Sequence, residues 1–91
     1  MFTISYHPAV KDDVANIGSK ERKIIQRAIE KKLLHEPVLY GKPLQHSLRG
    51  LRSLRVGDYR VVFHLSGSLV YVVLIAHRSI VYKEAGKRLR S

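Results

Sequence analysis

Apolar and polar residues alternate most regularly in the second half of the chain, between Leu48 and Arg78. A period of two residues is typical of β-strands, whose side chains point alternately to the two faces of a sheet. Two glycine-containing segments, Gly57-Asp58 and Ser66–Ser68, interrupt this alternation and are typical of hairpin turns. The pattern therefore predicts three consecutive antiparallel strands.

The first turn predicts the register of the first two strands. If Gly57-Asp58 is a two-residue loop, Val56 lies opposite Tyr59 and Leu54 lies opposite Val61. One face of the sheet then carries Leu54, Val56, Tyr59, Val61 and Phe63. The other face carries Leu51, Ser53, Arg55, Arg60, Val62 and His64.

This register places Arg55 directly across from Arg60. Like charges on cross-strand neighbours destabilise a sheet. Two explanations stay open at this point. The pair is kept for an anionic ligand such as a phosphate, which suits a guanidinium fork, or both side chains splay into solvent over their apolar stems.

The second turn allows two registers. A three-residue loop Ser66–Ser68 pairs Leu65 with Leu69 and brings Arg78 to the face of Arg60. A two-residue loop pairs Ser66 with Leu69 instead, and brings His77 to that face. Both alternatives predict a basic side chain from the end of the third strand near Arg60.

The first half of the chain predicts one strand and two helices. Phe2, Ile4 and Tyr6 alternate with polar residues and predict a short strand. Helical spacing follows in two stretches, with Gly18 expected to cap the first helix and Ser19 to cap the second. The apolar positions of the first helix are Val10, Val14 and Ile17, and the buried stripe of the second is Ile25, Ala28, Ile29, Lys32 and Leu33.

The remaining segments carry weaker patterns. Residues Glu36–Ser47 contain Pro37, Gly41 and Pro43 and are expected to form a loop. After Arg78, the segment Ile80–Tyr82 allows either a strand or the start of a short helix, and the basic tail Lys83–Ser91 is expected to be partly mobile.

The element order predicts an α+β fold in one domain spanning residues 1–91: a strand, two helices, then a three-strand antiparallel sheet. The helices form a hairpin packed on one face of the sheet. The opposite face is expected to be free as a concave basic surface.

The net charge says more about possible partners than the rest of the amino-acid composition does. The 91 residues include 17 Lys and Arg against 7 Asp and Glu, a net charge of +10, which favours a polyanionic partner. The chain has no cysteine, so disulfides and thiolate metal sites are excluded. The amino terminus lacks a signal-peptide pattern, and the longest apolar run, Leu69–Ala76, is far shorter than the ~20 residues of a membrane span. A soluble cytoplasmic protein without a membrane partner is expected.

The candidate chemistry lies in arginine, histidine and tyrosine near the sheet. The five histidines show no metal-binding spacing, and no catalytic triad or phosphate-binding loop is present, so neither a metal nor a cofactor is expected. A metal-free cleavage of a ribose phosphodiester needs a base for the 2′-hydroxyl, cations for the charge on phosphorus, and an acid for the leaving oxygen. The residues that could supply these groups are Arg52, Arg55, Arg60, His64, His77, Arg78 and Tyr82.

Three segments resemble the RelE/ParE superfamily of bacterial and archaeal toxins: Leu48–Gly50, Leu54–Val62, and Ala76–Arg78 with Val81-Tyr82. The element order and the basic charge agree, so the resemblance covers nearly the whole chain and implies the RelE-like fold. It implies a toxin of a type II toxin–antitoxin pair, bound by an acidic antitoxin protein. RelE-like members are endoribonucleases that cut mRNA in the ribosomal A site without metal and so inhibit translation.

The resemblance also implies roles for individual residues. Arg60 matches the arginine of the family's Tyr-Arg pair, Arg55 the basic residue before the turn, and Arg78 the arginine after the last strand. Tyr82 matches the terminal tyrosine. Either Tyr82 or His77 would transfer a proton, and the resemblance does not assign which group is the acid and which the base. The candidate RNA contacts are Arg49, Arg52, His64 and Lys83.

One departure from the family pattern keeps a second branch open. RelE enzymes carry two lysines before the second-strand arginine, and those positions are Leu51 and Ser53 here. Either His46, His64 or His77 takes over their role, or nothing does. The alternatives are a ParE-like, non-enzymatic inhibitor of DNA gyrase, or an inactive relative that binds antitoxin or RNA.

Overall fold

The computed structural model describes residues 1–90 and shows a five-stranded sheet with helices on both faces. The strands are β1 (Thr3–Tyr6), β2 (Lys42–Pro43), β3 (Leu51–Val56), β4 (Tyr59–Ser66) and β5 (Leu69–His77). The helices are α1 (Val10–Ala15), α2 (Ser19–Ala28), α3 (Pro37–Tyr40) and α4 (Val81–Arg90). A wider helical turn, Ile29–Leu33, extends α2, and a 3₁₀ turn spans His46–Leu48. None of these helices has the length and hydropathy needed to cross a bilayer.

The strand order in the sheet is β1-β5-β4-β3-β2, which confirms the predicted α+β fold and adds two features to it. First, β1 runs parallel to β5, so the sheet is mixed rather than wholly antiparallel. Second, the short strand β2 pairs with β3 inside the segment that was expected to be a loop. A strand of two residues leaves too little alternation in the sequence to be recognised.

The register predicted for the first hairpin is confirmed. Val56 pairs with Tyr59, and Arg55 lies opposite Arg60. Gly57 begins the turn with φ +59°, a left-handed conformation that glycine adopts without steric cost.

The second hairpin combines parts of both predicted registers. Its turn is the two-residue loop, because Ser66 pairs with Leu69. A β-bulge follows: Phe63 pairs with Val72, but Val62 pairs with Leu74, so Val73 is the extra residue.

The bulge corrects the prediction for the end of β5. Past the extra residue, Arg60 pairs with Ala76, and His77 pairs with Tyr59. Because side chains alternate along a strand, Arg78 and not His77 continues the face of Arg60. The three-residue loop is wrong, and so is the placement of His77 that the two-residue loop implied.

The helical hairpin covers one face of the sheet, as predicted. Ile25, Ile29 and Leu33 bury themselves against Val61 and Phe63 in one core cluster. The predicted caps were wrong in detail: α2 begins at Ser19 itself, so its N-cap residue is Gly18, and the serine makes no side-chain cap.

The opposite face is not free, because α4 packs across its middle. Val81 and Ala85, one helical turn apart, are fully buried in a second cluster with Val62, Leu74 and Ala76. Of the two predictions for Ile80–Tyr82, the helix is therefore correct. The tail is helical through Arg90 rather than mobile, and Ser91 lies outside the described residues. Only the ends of this face stay open to solvent.

A buried ion pair fastens the far end of α4 to α1 and β5. Arg88 Nη1 and Nη2 donate to the two carboxylate oxygens of Asp13 at 2.6 and 2.8 Å. The two side chains are only 17% and 9% exposed. The hydrogen bond to Asp13 raises the pKa of the Arg88 guanidinium above its usual value, against the lowering effect of burial.

Candidate functional site

One open end of the α4 face brings the predicted catalytic residues together. Arg60 near the start of β4 and the segment that joins β5 to α4 surround a cavity of about 450 Å³. Its lining residues are Arg60, His77, Arg78, Ser79 and Tyr82. The site exists because β5 ends at the level where β4 begins, as the antiparallel pairing requires.

Arg60 is held in place by the turn before it. Its Nη1 donates to the carbonyl oxygens of Gly57 and Tyr59 at 3.1 and 3.0 Å. A guanidinium carries five N–H donors, so the Nε and Nη2 donors remain for a ligand such as a phosphate. Arg60 is half-buried, and its remaining donors allow it to bind an anion.

Arg78 is anchored through its backbone and exposed at its side chain. Its N–H donates to the carbonyl oxygen of Asp58 at 2.8 Å. Its Nε lies 3.5 Å from Asp58 Oδ1, with the two side chains 63% and 71% exposed. An ion pair this open and this long contributes little to stability, so an anionic ligand can displace the carboxylate.

His77 is oriented by Ser79 and Tyr59. The Ser79 N–H donates to His77 Nδ1 at 3.1 Å, and Ser79 Oγ lies 2.8 Å from the same nitrogen. The Tyr59 ring meets the imidazole edge-to-face at 5.7 Å. Because Nδ1 accepts a hydrogen bond, the neutral ring carries its proton on Nε2.

Tyr82 and Arg55 complete the surroundings of the cavity. Tyr82, the second residue of α4, is 46% exposed. Arg55 is exposed on β3 directly opposite Arg60, outside the cavity lining. All five predicted catalytic residues thus lie at the same end of the sheet.

The four predicted RNA contacts do not join this group. Arg52 lies on the opposite face, where its Nη1 donates to the Gly41 carbonyl oxygen at 2.9 Å. Arg49 borders a separate cavity of about 510 Å³ beside His46. His64 is exposed at the other end of β4, and Lys83 is exposed on α4. Their roles stay predictions.

Leu51 and Ser53, which stand where the family has lysines, are buried on the α4 face at 6% exposure each. Neither can therefore contact a ligand in the cavity. His46, proposed as a substitute, lies in the other cavity, in a left-handed conformation with φ +57°. Of the three candidate histidines, only His77 lines the site.

Sequence reasoning missed two residues of the site, Ser79 and Asp58. Ser79 orients His77, and Asp58 holds Arg78. Both are single polar residues in short connections, and neither changes the hydrophobic pattern. The sequence could have indicated Ser79 only by its position, directly after the His77-Arg78 pair.

Within residues 1–90, no group of three or more His, Asp or Glu side chains is arranged to hold a metal ion. The arrangement instead offers two arginines, an oriented imidazole and a phenol around one cavity. Such a set can bind a phosphodiester, stabilise added negative charge and move a proton.

Comparison with known families identifies the class of protein. The family model described as the ParE toxin of the type II toxin–antitoxin system matches residues 4–82. This match covers most of the chain, which therefore belongs to that family of toxins.

Comparisons with individual proteins support this family assignment. The chain is 37% identical over 84 residues to Toxin RelE of Mycobacterium tuberculosis, covering 86% of this chain and 87% of the relative. The fold matches the RelBE2 toxin–antitoxin complex of that organism with a TM-score of 0.74 and 24% identity, covering 85% of this chain and 98% of the other. It also matches a mutant of Escherichia coli toxin RelE in the free state, with a TM-score of 0.70 and 20% identity over 96% of each chain.

Proposed function

We propose that this toxin is an endoribonuclease that cuts mRNA on the ribosome, without a metal ion, and thereby stops translation. The observation that carries the proposal is the single cavity lined by Arg60, His77, Arg78 and Tyr82. The 37% identity to a Toxin RelE supports the same branch of the family. Translation as the target places the action in the cytoplasm.

The two arginines bind the scissile phosphate. Attack by the 2′-hydroxyl adds negative charge to the phosphoryl oxygens, and donors fixed before the reaction stabilise that charge best. Arg60 is fixed by the turn carbonyls, and Arg78 exchanges the Asp58 carboxylate for the phosphate. Arg55, across the hairpin, adds positive potential at the entrance.

His77 acts as a proton donor in this scheme. With Nδ1 accepting the Ser79 N–H, the neutral ring presents only an N–H at Nε2. Protonated at Nδ1, with Ser79 Oγ as the acceptor at 2.8 Å, the imidazolium can give its Nε2 proton to the leaving 5′-oxygen. The neutral ring can only hydrogen-bond that oxygen, and it cannot accept the 2′-hydroxyl proton. Tyr82 is the remaining group in the cavity that can move this proton.

The partners follow from charge and from the relatives. A net charge of +10 suits an acidic antitoxin protein as well as ribosomal RNA and mRNA. The M. tuberculosis RelBE2 structure is a toxin–antitoxin complex. We propose an acidic antitoxin as the partner that neutralises this chain.

The experiment is cleavage of a defined mRNA on stalled ribosomes, with the new 5′ ends mapped by primer extension. Purified wild-type protein is expected to create new ends in the A-site codon only when ribosomes are present. Arg60→Ala is the matched negative control, since it removes one phosphate contact without touching the core. If protein that is folded and binds an antitoxin leaves the message uncut, the proposal is overturned.

A second candidate function, non-enzymatic inhibition of DNA gyrase, is favoured by one observation. Leu51 and Ser53 are buried, so β3 supplies no basic side chain to this face except Arg55. A gyrase inhibitor would suppress supercoiling of plasmid DNA by purified gyrase and leave mRNA intact. The two assays together separate the two functions.

A further inference from the structure

The hydrophobic pattern of β5 does not specify which of its side chains face Arg60. The run from Val73 to Ala76 is apolar and buried throughout, with relative exposures between 2% and 9%. A one-residue slip would exchange Leu74 with Ile75 and Ala76 with His77 between the two faces. Since the run is apolar at every position, its hydrophobic pattern alone does not select the observed register.

That feature lies at the edge of β5. The partner strand β1 pairs only with Leu69–Val72, so the bulge itself has no neighbouring strand on this side. Arg88 Nη1 donates to the Val73 carbonyl oxygen at 3.0 Å, and the Ile75 N–H donates to Asp13 Oδ2 at 3.1 Å. The Asp13–Arg88 pair therefore satisfies the backbone on both sides of Leu74.

The Asp13–Arg88 ion pair has the features needed to hold the β5 bulge in place. A buried backbone group without a hydrogen-bond partner destabilises the fold, and the Asp13–Arg88 pair satisfies two such groups. Both side chains are at least four-fifths buried, and they come from α1 and α4, elements on opposite sides of the sheet. In the observed register, with the bulge at Val73, both backbone hydrogen bonds are made.

We propose that Asp13 and Arg88 are positioning residues that fix the β5 bulge, and thereby place Arg78 rather than His77 on the face of Arg60. The consequence for cleavage rests on the proposed function; the consequence for register does not. In the slipped register, His77 would replace Arg78 beside Arg60, and the site would lose one of its two guanidinium groups.

The direct test is the strand register measured by NMR in the free protein. The wild type is expected to show nuclear Overhauser contacts between the backbones of Arg60 and Ala76. In Arg88→Met, which keeps the apolar stem but loses the donors, these contacts are expected to move to Arg60 and Ile75. Lys87→Met is the control, since Lys87 is exposed on the same turn of α4 and pairs only with Glu84.

A second variant covers the case in which Arg88→Met does not fold. Asp13→Asn with Arg88→Gln removes both charges together and leaves no unpaired charge in the interior. It is expected to show the same shift to Ile75. A folded form of either variant that keeps only the contact between Arg60 and Ala76 would overturn the proposal.

Activity separates positioning from stability. At a temperature where a variant is fully folded, its rate of mRNA cleavage at saturating ribosome complex is expected to fall about 100-fold, as for a misplaced catalytic group. An unchanged rate in a folded variant with shifted register would also overturn the consequence for cleavage. If the wild type cuts no mRNA, the proposed function fails, and the NMR result still decides the register.

Discussion

Two Arg–Asp pairs in this protein use the same chemical groups in opposite ways. Arg88 and Asp13 form a two-bond contact at 2.6 and 2.8 Å, with side chains 17% and 9% exposed. The side chains of Arg78 and Asp58 meet through a single contact at 3.5 Å and are 63% and 71% exposed. The first pair joins three elements of the fold, whereas the second spans the rim of a cavity.

The difference shows that burial decides what a charged pair does. Breaking a buried pair strands a charge in the interior, while an exposed pair competes with water and is worth little. The buried arginine is thus committed to the fold, and the exposed arginine is available to a phosphate. Four perturbations test this division, and the largest expected effect comes first.

Removing the buried carboxylate should have the largest effect on stability. Asp13→Ala removes the buried carboxylate that accepts two hydrogen bonds from Arg88, and it is expected to lower the free energy of unfolding by about 3–5 kcal/mol. Urea denaturation followed by circular dichroism measures this change. Asp12→Ala is the matched control, because Asp12 is exposed on the same helix; equal destabilisation by both would contradict the division.

Removing either arginine of the cavity should have a large effect on cleavage and almost none on stability. Arg60→Ala and Arg78→Ala are each expected to slow cleavage by about 10²–10³-fold, as for the loss of one donor to a charged transition state. Their unfolding free energies should stay within about 0.5 kcal/mol of the wild type. Arg27→Ala, at an exposed position of α2, should affect neither quantity. Cleavage at the wild-type rate by Arg78→Ala would disprove the role of Arg78.

Removing the repulsion between the opposed arginines on the hairpin should have smaller effects on two quantities. Stability should rise, and ribosome binding should weaken. Arg55→Thr is expected to stabilise the fold by about 0.2–1 kcal/mol, because Arg60 then faces a neutral neighbour. Binding to ribosomes should weaken, with a salt dependence shallower by about one charge. The measurement is affinity against salt concentration, and an unchanged slope would show that Arg55 makes no contact with RNA.

Neutralising the exposed carboxylate should have the smallest effect. Asp58→Asn is expected to change the free energy of unfolding by less than about 1 kcal/mol. It should strengthen ribosome binding a few-fold, on the order of the same 1 kcal/mol, because Arg78 no longer exchanges a carboxylate for the phosphate. Weaker binding in this variant would mean that Asp58 orients Arg78 productively instead of competing with the ligand.

The sequence was sufficient for the parts of the fold in which local pattern and turn chemistry agree. The β3–β4 register followed from the alternation around Gly57-Asp58, and it led directly to the opposed Arg55 and Arg60. Placing Arg60, His77, Arg78 and Tyr82 at one end of the sheet followed from the same hairpins together with the family resemblance.

The sequence was insufficient where distant residues make the decision. The β5 run is apolar on both faces, so its register depends on Asp13 and Arg88, which lie far from it in the chain. The burial of one face beneath α4 was missed because a basic tail hides the short apolar spacing of Val81 and Ala85. Arg52 was grouped with the site by composition, but its strand position directs it to the other face.

The central claim is that the exposed arginine, not the buried one, contacts the scissile phosphate. The most direct measurement is the single-turnover rate of A-site cleavage by Arg78→Ala on stalled ribosomes. The temperature is one at which a denaturation curve shows that the variant is fully folded. The account predicts that the new 5′ ends form about 10²–10³-fold more slowly than with the wild type, while stability is unchanged. New ends formed at the wild-type rate would contradict it.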